Sequence, residues 1–198
     1  LKIFRYRPEK ENEPTFQTYE VPFHEDWVVL DAINHIKEEI DGTLSYRWSC
    51  QMGVCGSCGI MINDVPKLSC AAFLRDYYPD KIRIEPLAGF PVERDLIFNM
   101  DDFITKLTEM QPYIIRKDGE EKQLEEGEHL QSPAELAHFK QYSMCINCML
   151  CYAACPVYDL NPTFIGPAAI ALGQRYNMDS RDQGRDNRQE LIASHDGI

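Results

Sequence analysis

The residues of this sequence best suited to chemistry are its eight cysteines, which fall into two groups along the chain. The second group occupies the stretch 144–156, MCINCMLCYAACP. Its cysteines are spaced by two, two and three residues and are followed by a proline: Cys145, Cys148, Cys151, Cys155 and Pro156. This run is typical of bacterial-type iron–sulfur proteins, in which three thiolates bind one cluster and the fourth belongs to a different cluster. The spacing therefore predicts iron–sulfur ligands here.

A structural zinc knot is the alternative for the same four thiols. Zinc sites usually combine two separated C-x2-C pairs, or cysteine with histidine. No histidine lies between His138 and His195, so the spacing favours a cluster over zinc.

The first group of cysteines has the plant-type 2Fe–2S spacing. A C-x4-C-x2-C loop is followed by a distant fourth cysteine: Cys50, Cys55, Cys58 and Cys70. A Rieske centre would need two histidines in place of two cysteines. No histidine lies between His35 and His129, which excludes that type of centre.

The residues between these cysteines suit a buried, negatively charged group. With four thiolates, an oxidised 2Fe–2S cluster carries about two negative charges, and burying that charge requires backbone N–H groups aimed at the sulfurs. Gly53, Gly56 and Gly59 let the backbone adopt positive φ and approach closely. Ser57 adds a hydroxyl. Trp48 is predicted to pack over the cluster.

Other classes of function find little support. Clustered C-x2-C spacing without a secretory signal argues against a disulfide framework. The net charge of −12 leaves no basic stripe for nucleic acid. There is no nucleophile elbow, nucleotide-binding glycine loop or acid–base carboxylate pair. Redox sites without a substrate site indicate a relay of single electrons between catalytic centres on other chains.

The elements around the first cysteine group predict an α+β domain over residues 1–100. Aromatic and β-branched residues predict a hairpin over 1–22, and helical spacing predicts a helix over 27–40 with Asp26 as its N-cap. Short strands are expected at 59–62 and 81–85. With the cysteines, these elements favour a plant-type ferredoxin, or β-grasp, fold.

Residues 101–198 are predicted to form a mainly α-helical 4Fe–4S domain of the bacterial-ferredoxin type. Helices are expected from residue 101, after Ser132 with a capping box, and over 167–176. The acidic stretch 117–131 is predicted to be a surface loop, with a docking patch as the alternative, and no regular element is predicted after residue 179. The longest uncharged run, 141–158, is too short to span a bilayer, so any membrane association is expected to come through a partner.

These motifs together resemble the iron–sulfur subunit of succinate dehydrogenases and fumarate reductases, with the closer likeness to the bacterial quinol:fumarate reductase branch. The likeness covers nearly the whole chain. It is carried by the stretches 45–50 (SYRWSC), 65–70 (VPKLSC), 90–96 (FPVERDL), 145–156 and 160–170 (LNPTFIGPAAI).

The resemblance implies a complex with a flavoprotein subunit that holds FAD and the dicarboxylate site, and with membrane-anchor subunits. Electrons from quinol would pass through 3Fe–4S, 4Fe–4S and 2Fe–2S clusters to the flavin, at the cytoplasmic face of the inner membrane. It assigns the first cysteine group to the 2Fe–2S cluster, Cys145, Cys148 and Cys151 to the 4Fe–4S cluster, and Cys155 to the 3Fe–4S cluster.

Family members carry three further cysteines that complete the last two clusters, and this sequence ends at Ile198 without them. We expect a fragment rather than a protein lacking those clusters. The alternatives that remain are a succinate dehydrogenase subunit running in the oxidative direction, a freestanding soluble ferredoxin and a zinc-stabilised interaction module.

Overall fold

The computed structural model of the protein describes residues 1–117, 122 and 124–194. Its strands are β1 (Lys2–Arg5), β2 (Thr15–Thr18), β3 (Gly59–Ile62), β4 (Val65–Leu68), β5 (Arg83–Glu85), β6 (Val92–Arg94) and β7 (Ile97–Phe98). Its α-helices are α1 (Val29–His35), α2 (Asp101–Glu109), α3 (Pro133–Phe139), α4 (Leu150–Ala153), α5 (Pro156–Leu160), α6 (Pro167–Asn177) and α7 (Arg185–Ile192). The predicted mixture of helix and strand is confirmed.

The chain divides into two compact units. The first contains Leu1–Met100 with Ile146–Asp159, and the second contains Asp101–Cys145 with Leu160–Ile198. The main segment of the first unit ends at Met100, and the division of the chain into domains 1–100 and 101–198 stays a prediction. The sequence, however, placed the whole of 101–198 in one domain, whereas Ile146–Asp159 packs with the first unit. The reason is a close backbone contact with the first cysteine loop, described below.

A five-stranded mixed sheet forms the frame of the first unit, in the order β2-β1-β5-β3-β4. The β1–β2 and β3–β4 pairs are antiparallel, and β5 joins them by lying parallel to β1 and antiparallel to β3. The predicted N-terminal hairpin and the strand Gly59–Ile62 are confirmed. β4 was not predicted, since Pro66 interrupts its apolar pattern.

Helix α1 packs between the sheet and the first cysteine group. The expected N-cap at Asp26 is wrong: the N-cap is Val28, whose N–H donates to the Asp31 carboxylate at 2.9 Å. An acidic residue at the third helical position can reach back in this way and replace a capping side chain. Ile33 and Ile36 pack in the core of the sheet, whereas Leu30 packs against Cys58 and Cys70. The helix therefore supports the cysteines directly.

A buried ionic network ties β1 to the start of the cysteine loop. Arg5 and Asp95 are nearly inaccessible, and the Arg5 Nε donates to Asp95 Oδ1 at 3.0 Å. Asp95 also accepts the backbone N–H groups of Tyr6, at 3.0 Å, and Ser45, at 2.9 Å. Burial alone would lower the pKa of Arg5, but hydrogen bonds with Asp41 and Asp95 outweigh it and raise that pKa. The carboxylate thus anchors two backbone segments.

Helices joined by turns and irregular segments make up the described residues of the second unit. The predicted capping box of α3 is confirmed: the Glu135 N–H donates to Ser132 Oγ at 3.3 Å, and the Ser132 N–H donates to the Glu135 carboxylate at 2.7 Å. α6 packs on α2, where the absence of a side chain on Gly173 leaves room for the Met110 thioether.

Helix α7 falls in the tail for which no element was predicted. Its buried side chain is Arg188, which donates to both Asp182 oxygens, at 2.6 and 3.0 Å, and to the carbonyls of Gln111 and Tyr113. Because the buried residue of this helix is an arginine, its sequence lacks the apolar repeat of 3.6 residues by which a helix is usually predicted.

The prediction of an acidic loop over 117–131 lies partly outside the described residues, namely at 118–121 and 123. Within the described part, Leu124–Glu126 forms a 3-10 turn, and Glu125 and Glu126 are exposed. Separately, none of the helices in the described ranges has the length and apolarity needed to cross a bilayer.

Asp179 is an inaccessible carboxylate of the second unit that pairs with two arginines. Its inaccessible side chain accepts hydrogen bonds from Arg175, at 2.8 Å, from the Arg181 backbone and guanidinium, at 2.9 to 3.1 Å, and from Gln131, at 3.0 Å. Burial works to raise the pKa of Asp179, but the hydrogen bonds from Arg181 and Arg175 outweigh it and lower the pKa to about 2.

We expect Asp179→Asn to lower the free energy of unfolding of the second unit by about 2 kcal/mol at pH 7, because it removes the inaccessible carboxylate that pairs with the partly exposed Arg175 and Arg181. A carboxylate with a lowered pKa stabilises the fold above its unfolded pKa near 4 and stops doing so as the pH falls toward 2. Urea titrations across this range should show the difference between wild type and variant shrinking on acidification. The exposed Asp186→Asn is the matched control; an equal effect there would contradict the prediction.

Candidate iron–sulfur cluster sites

The first cysteine loop follows the π-helical segment Ile36–Ile40 at the end of α1, runs to β3 and has an unusual backbone. Gln51, Gly53 and Gly56 have positive φ, of 59°, 71° and 76°. Left-handed residues interspersed among ordinary ones turn successive peptide N–H groups to one side, a geometry that binds anions. Two of the three positions are glycines, for which positive φ carries no steric cost. The loop is therefore preformed for a negatively charged occupant.

The four thiols of this group come together as two pairs. Cys50 and Cys55 are in contact, with the Cys55 N–H 3.3 Å from the Cys50 Sγ and the Cys50 N–H 3.5 Å from the Cys55 Sγ. The thiols of Cys58 and Cys70 contact each other. In the described part of the chain, no three histidine, cysteine, aspartate or glutamate side chains gather as ligands of one metal ion. The sulfurs are thus arranged in pairs rather than around one point.

Backbone N–H groups of the loop point at these sulfurs. The Cys50 Sγ accepts from Met52 and Val54, each at 3.4 Å, as well as from Cys55. The Gly53 N–H donates to the Cys70 Sγ at 3.3 Å and so links the two thiol pairs. Such N–H donors are the expected compensation for negative charge on cysteine sulfurs, and the Gly53 N–H is one of them. Such bonds are also a main determinant of cluster potential.

The two ends of the group differ in acidity. Hydrogen bonds from the Cys50 and Ser57 backbone, with the Ser57 hydroxyl, lower the pKa of Cys55 to about 6. Burial raises the pKa of Cys70 to about 11, and its contact with Cys58 adds to this. Cys55 is thus prepared as a thiolate by the loop itself. Cys70 requires a positively charged metal to become one.

The Cys50–Cys55 end of the loop lies near the protein surface. Trp48, predicted to pack over the cluster, is 44% exposed, and its neighbours Met52 and Val54 are more exposed still. Cys58 and Cys70, in contrast, are buried against Leu30. The group therefore has one surface-facing pair of thiols and one core-facing pair.

The second cysteine group lies on a loop with a similar backbone. Asn147 and Met149, which separate its first three cysteines, have positive φ of 53° and 61°. Met149 is buried and precedes α4, and Pro156 begins α5. None of its four cysteines is in a disulfide, and Cys151 is the exposed one: Cys145, Cys148, Cys151 and Cys155. Cys145 belongs to the second unit and the other three to the first.

The segment Ile146–Asp159 is held on the first unit by backbone and aromatic contacts. Cys148 lies directly over Gly56 and Gly59 of the first loop. Tyr152 and Tyr158 are buried and pack on Phe90, with ring centroids 6.3 and 5.6 Å away. The sequence indicated none of these contacts: Cys148 was singled out as a ligand, and Gly56 and Gly59 for the conformation of the first loop.

The residues present fit iron–sulfur clusters. Two linked thiol pairs, surrounded by N–H donors, match a cluster with two irons and four cysteine ligands. The left-handed positions between the cysteines of the second loop let a short stretch turn back on itself at each C-x2-C step. Neither loop carries a histidine that would favour zinc.

Comparisons with known proteins agree with this geometry. The family model described as a 2Fe-2S iron-sulfur cluster binding domain matches residues 1–105, and the one described as a 4Fe-4S binding domain matches residues 139–158. The fumarate reductase iron-sulfur subunit of Mycobacterium tuberculosis (strain CDC 1551 / Oshkosh) is 58% identical over 197 residues, which are 100% of this chain and 79% of that protein.

One further relative and one solved structure are also similar to this chain. The succinate dehydrogenase iron-sulfur subunit of Coxiella burnetii (strain RSA 493 / Nine Mile phase I) is 35% identical over 195 residues, covering 97% of this chain and 80% of its own length. A chain of the Mycobacterium smegmatis Sdh1 complex in the apo form superposes with a TM-score of 0.84 at 25% identity, over 99% of this chain and 80% of that one.

Proposed function

The chain belongs to the iron–sulfur protein family of fumarate reductases and succinate dehydrogenases, and we propose that it is the electron-transfer subunit of a quinol:fumarate reductase. The observation that carries the proposal is the preformed loop in which paired thiols receive hydrogen bonds from successive backbone N–H groups. A relay needs such a charge-compensated site and no substrate site of its own.

In this proposal the first unit is a plant-type ferredoxin domain with a β-grasp fold, and Cys50, Cys55, Cys58 and Cys70 bind a 2Fe–2S cluster. The mixed sheet with one covering helix and the two thiol pairs support it. The second unit would be the helical, bacterial-ferredoxin-like part, consistent with its helices α2, α3, α6 and α7.

The second cysteine group would serve two clusters. Cys145, Cys148 and Cys151 are proposed ligands of a 4Fe–4S cluster and Cys155 of a 3Fe–4S cluster. The spacing and the left-handed residues Asn147 and Met149 support the assignment.

When bound, the clusters accept and release single electrons. The chain's residues would determine where each cluster is held and at what reduction potential it accepts an electron. N–H donors stabilise the negative charge on the sulfurs, α1 covers the buried pair with Leu30, and Asp95 holds the loop start at Ser45. More or stronger hydrogen bonds to the sulfurs raise the reduction potential, because they favour the more negative, reduced state.

The partners of such a subunit would be a flavoprotein with FAD and the dicarboxylate site, membrane-anchor subunits and a quinol. The complex would lie at the cytoplasmic face of the inner membrane, with this chain attached peripherally through those anchors. The names of the relatives support the complex.

Purification of the complex with iron, labile-sulfide and electron paramagnetic resonance (EPR) analysis tests the proposal. We expect 2Fe–2S, 4Fe–4S and 3Fe–4S signals and co-purification of a larger flavin-containing chain. A 2Fe–2S signal alone would reject the three-cluster relay. A monomer that never associates with a flavoprotein would instead support a soluble ferredoxin, and zinc without iron would support the interaction module.

The second candidate is a succinate dehydrogenase subunit, which differs mainly in the direction of electron flow. The superposition on the Sdh1 complex supports it, whereas the higher identity to a fumarate reductase subunit supports the first. Assays of the purified complex with menaquinol and fumarate against succinate and ubiquinone distinguish the two.

A further inference from the structure

Gly56 and Gly59 enclose Cys58 in the chain, and both touch the same residue of the second cysteine loop. A Cβ built on Gly56 would lie 2.8 Å from the Ile146 carbonyl oxygen and 2.9 Å from both the Cα and the Cβ of Cys148. A Cβ on Gly59 would lie 3.0 Å from the Cys148 carbonyl oxygen. The atoms approached at Gly56 include backbone, which cannot move aside as a flexible side-chain end would.

The two glycines differ in conformation, which separates two explanations for their presence. Gly56 has a φ of 76°, so conformation alone would favour glycine there. Gly59 begins β3, pairs with Leu68 and does not have positive φ. Its need for a small residue comes from the close approach of Cys148 and Leu150, with Leu87 at a slightly longer distance. The shared feature is therefore close packing and not backbone freedom.

We propose that Gly56 and Gly59 are positioning residues that dock the second cysteine loop on the first and so fix the separation of the two groups of ligands. This rests on the proposed function, in which Cys58 and Cys148 bind different clusters. Electron tunnelling slows steeply with distance, so a side chain at either glycine would slow transfer by displacing Cys148. At Gly59, whose φ is not positive, it would do so without backbone strain in the first loop.

Gly53 provides a matched control, because it has a φ of 71° but a Cβ added to it would meet no other atom within 4 Å. Three variants of the full chain in its complex then separate the effects. Gly53→Ala introduces backbone strain alone, Gly59→Ala introduces the contact alone, and Gly56→Ala introduces both.

Hydrogen–deuterium exchange of the amides in Ile146–Asp159 is the readout that needs no turnover. We expect exchange roughly tenfold faster in Gly56→Ala and Gly59→Ala, because local opening becomes easier, and wild-type exchange in Gly53→Ala. EPR should show each reduced cluster's own signal retained in Gly59→Ala, with a weaker spin–spin interaction between the two.

Equal exchange in Gly53→Ala and Gly56→Ala would overturn the proposal, since strain would then explain the effect. Unchanged exchange in both Gly56→Ala and Gly59→Ala would overturn it as well, as would an undiminished spin–spin interaction. A wild-type complex without iron or labile sulfide would reject the proposed function instead, while the exchange comparison would still decide whether the glycines dock the loop.

Discussion

Replacing Cys58 with alanine is expected to abolish the 2Fe–2S signal and to reduce fumarate reduction by quinol more than about a hundredfold. Cys58 is buried, contacts the Cys70 thiol and packs under Leu30. The other three thiols of its group are themselves assigned as ligands, so none of them can replace Cys58. Mutating a residue that only supports a metal ligand typically lowers metal affinity or activity by about 10–100-fold. Loss of a ligand itself should lower activity by more than that.

The measurement is EPR of the dithionite-reduced complex with iron and labile-sulfide content, followed by quinol:fumarate activity. Ser49→Ala, an exposed truncation in the same loop, is the control and should retain the signal. If Cys58→Ala kept a 2Fe–2S signal of wild-type intensity, the ligand assignment would be wrong. The 4Fe–4S signal should persist, because its proposed cysteines lie on the other loop.

The sequence predicted the cysteine groups because ligand spacing is a local property. C-x4-C-x2-C fits on one loop, and the structure does gather these thiols with Cys70. The pairing of Cys50 with Cys55 and of Cys58 with Cys70 was not predicted, because it depends on how far the loop turns at Gln51 and Gly53. The roles of all eight cysteines as ligands stay predictions.

Contacts between segments that are far apart in the chain could not be predicted from the sequence. Nothing near Cys148 indicates that its backbone lies on Gly56 and Gly59, which are far earlier in the chain. For the same reason Ile146–Asp159 was expected with the helical domain. α7 was missed because its buried side chain is Arg188. The start of α1 was misplaced because its N-cap is Val28, whose N–H bonds to Asp31, and not Asp26.

Asp95→Asn is expected to lower the free energy of unfolding of the first unit by about 4 kcal/mol. The Asp95 side chain is inaccessible and accepts from the Arg5 guanidinium and from the Tyr6 and Ser45 N–H groups. An asparagine keeps one acceptor oxygen, so its NH2 group must face a donor in either orientation. Arg5 would also keep a buried charge without that counter-ion. Breaking one side of a buried ion pair typically costs about 3–5 kcal/mol.

Urea unfolding of the purified protein, followed by far-UV circular dichroism, measures this loss. Asp64→Asn is the matched control, because it breaks an exposed pair with Arg83 in the same unit, and exposed pairs contribute about 0–1 kcal/mol. Replacing both partners, as Arg5→Met with Asp95→Leu, should recover only part of the stability. The double variant removes the Arg5 charge that had lost Asp95, but Asp41 then loses its ion pair with Arg5. The N–H groups of Tyr6 and Ser45 also still lose their acceptor. Full recovery, or equal losses in Asp95→Asn and Asp64→Asn, would show that the carboxylate does not anchor the cysteine loop.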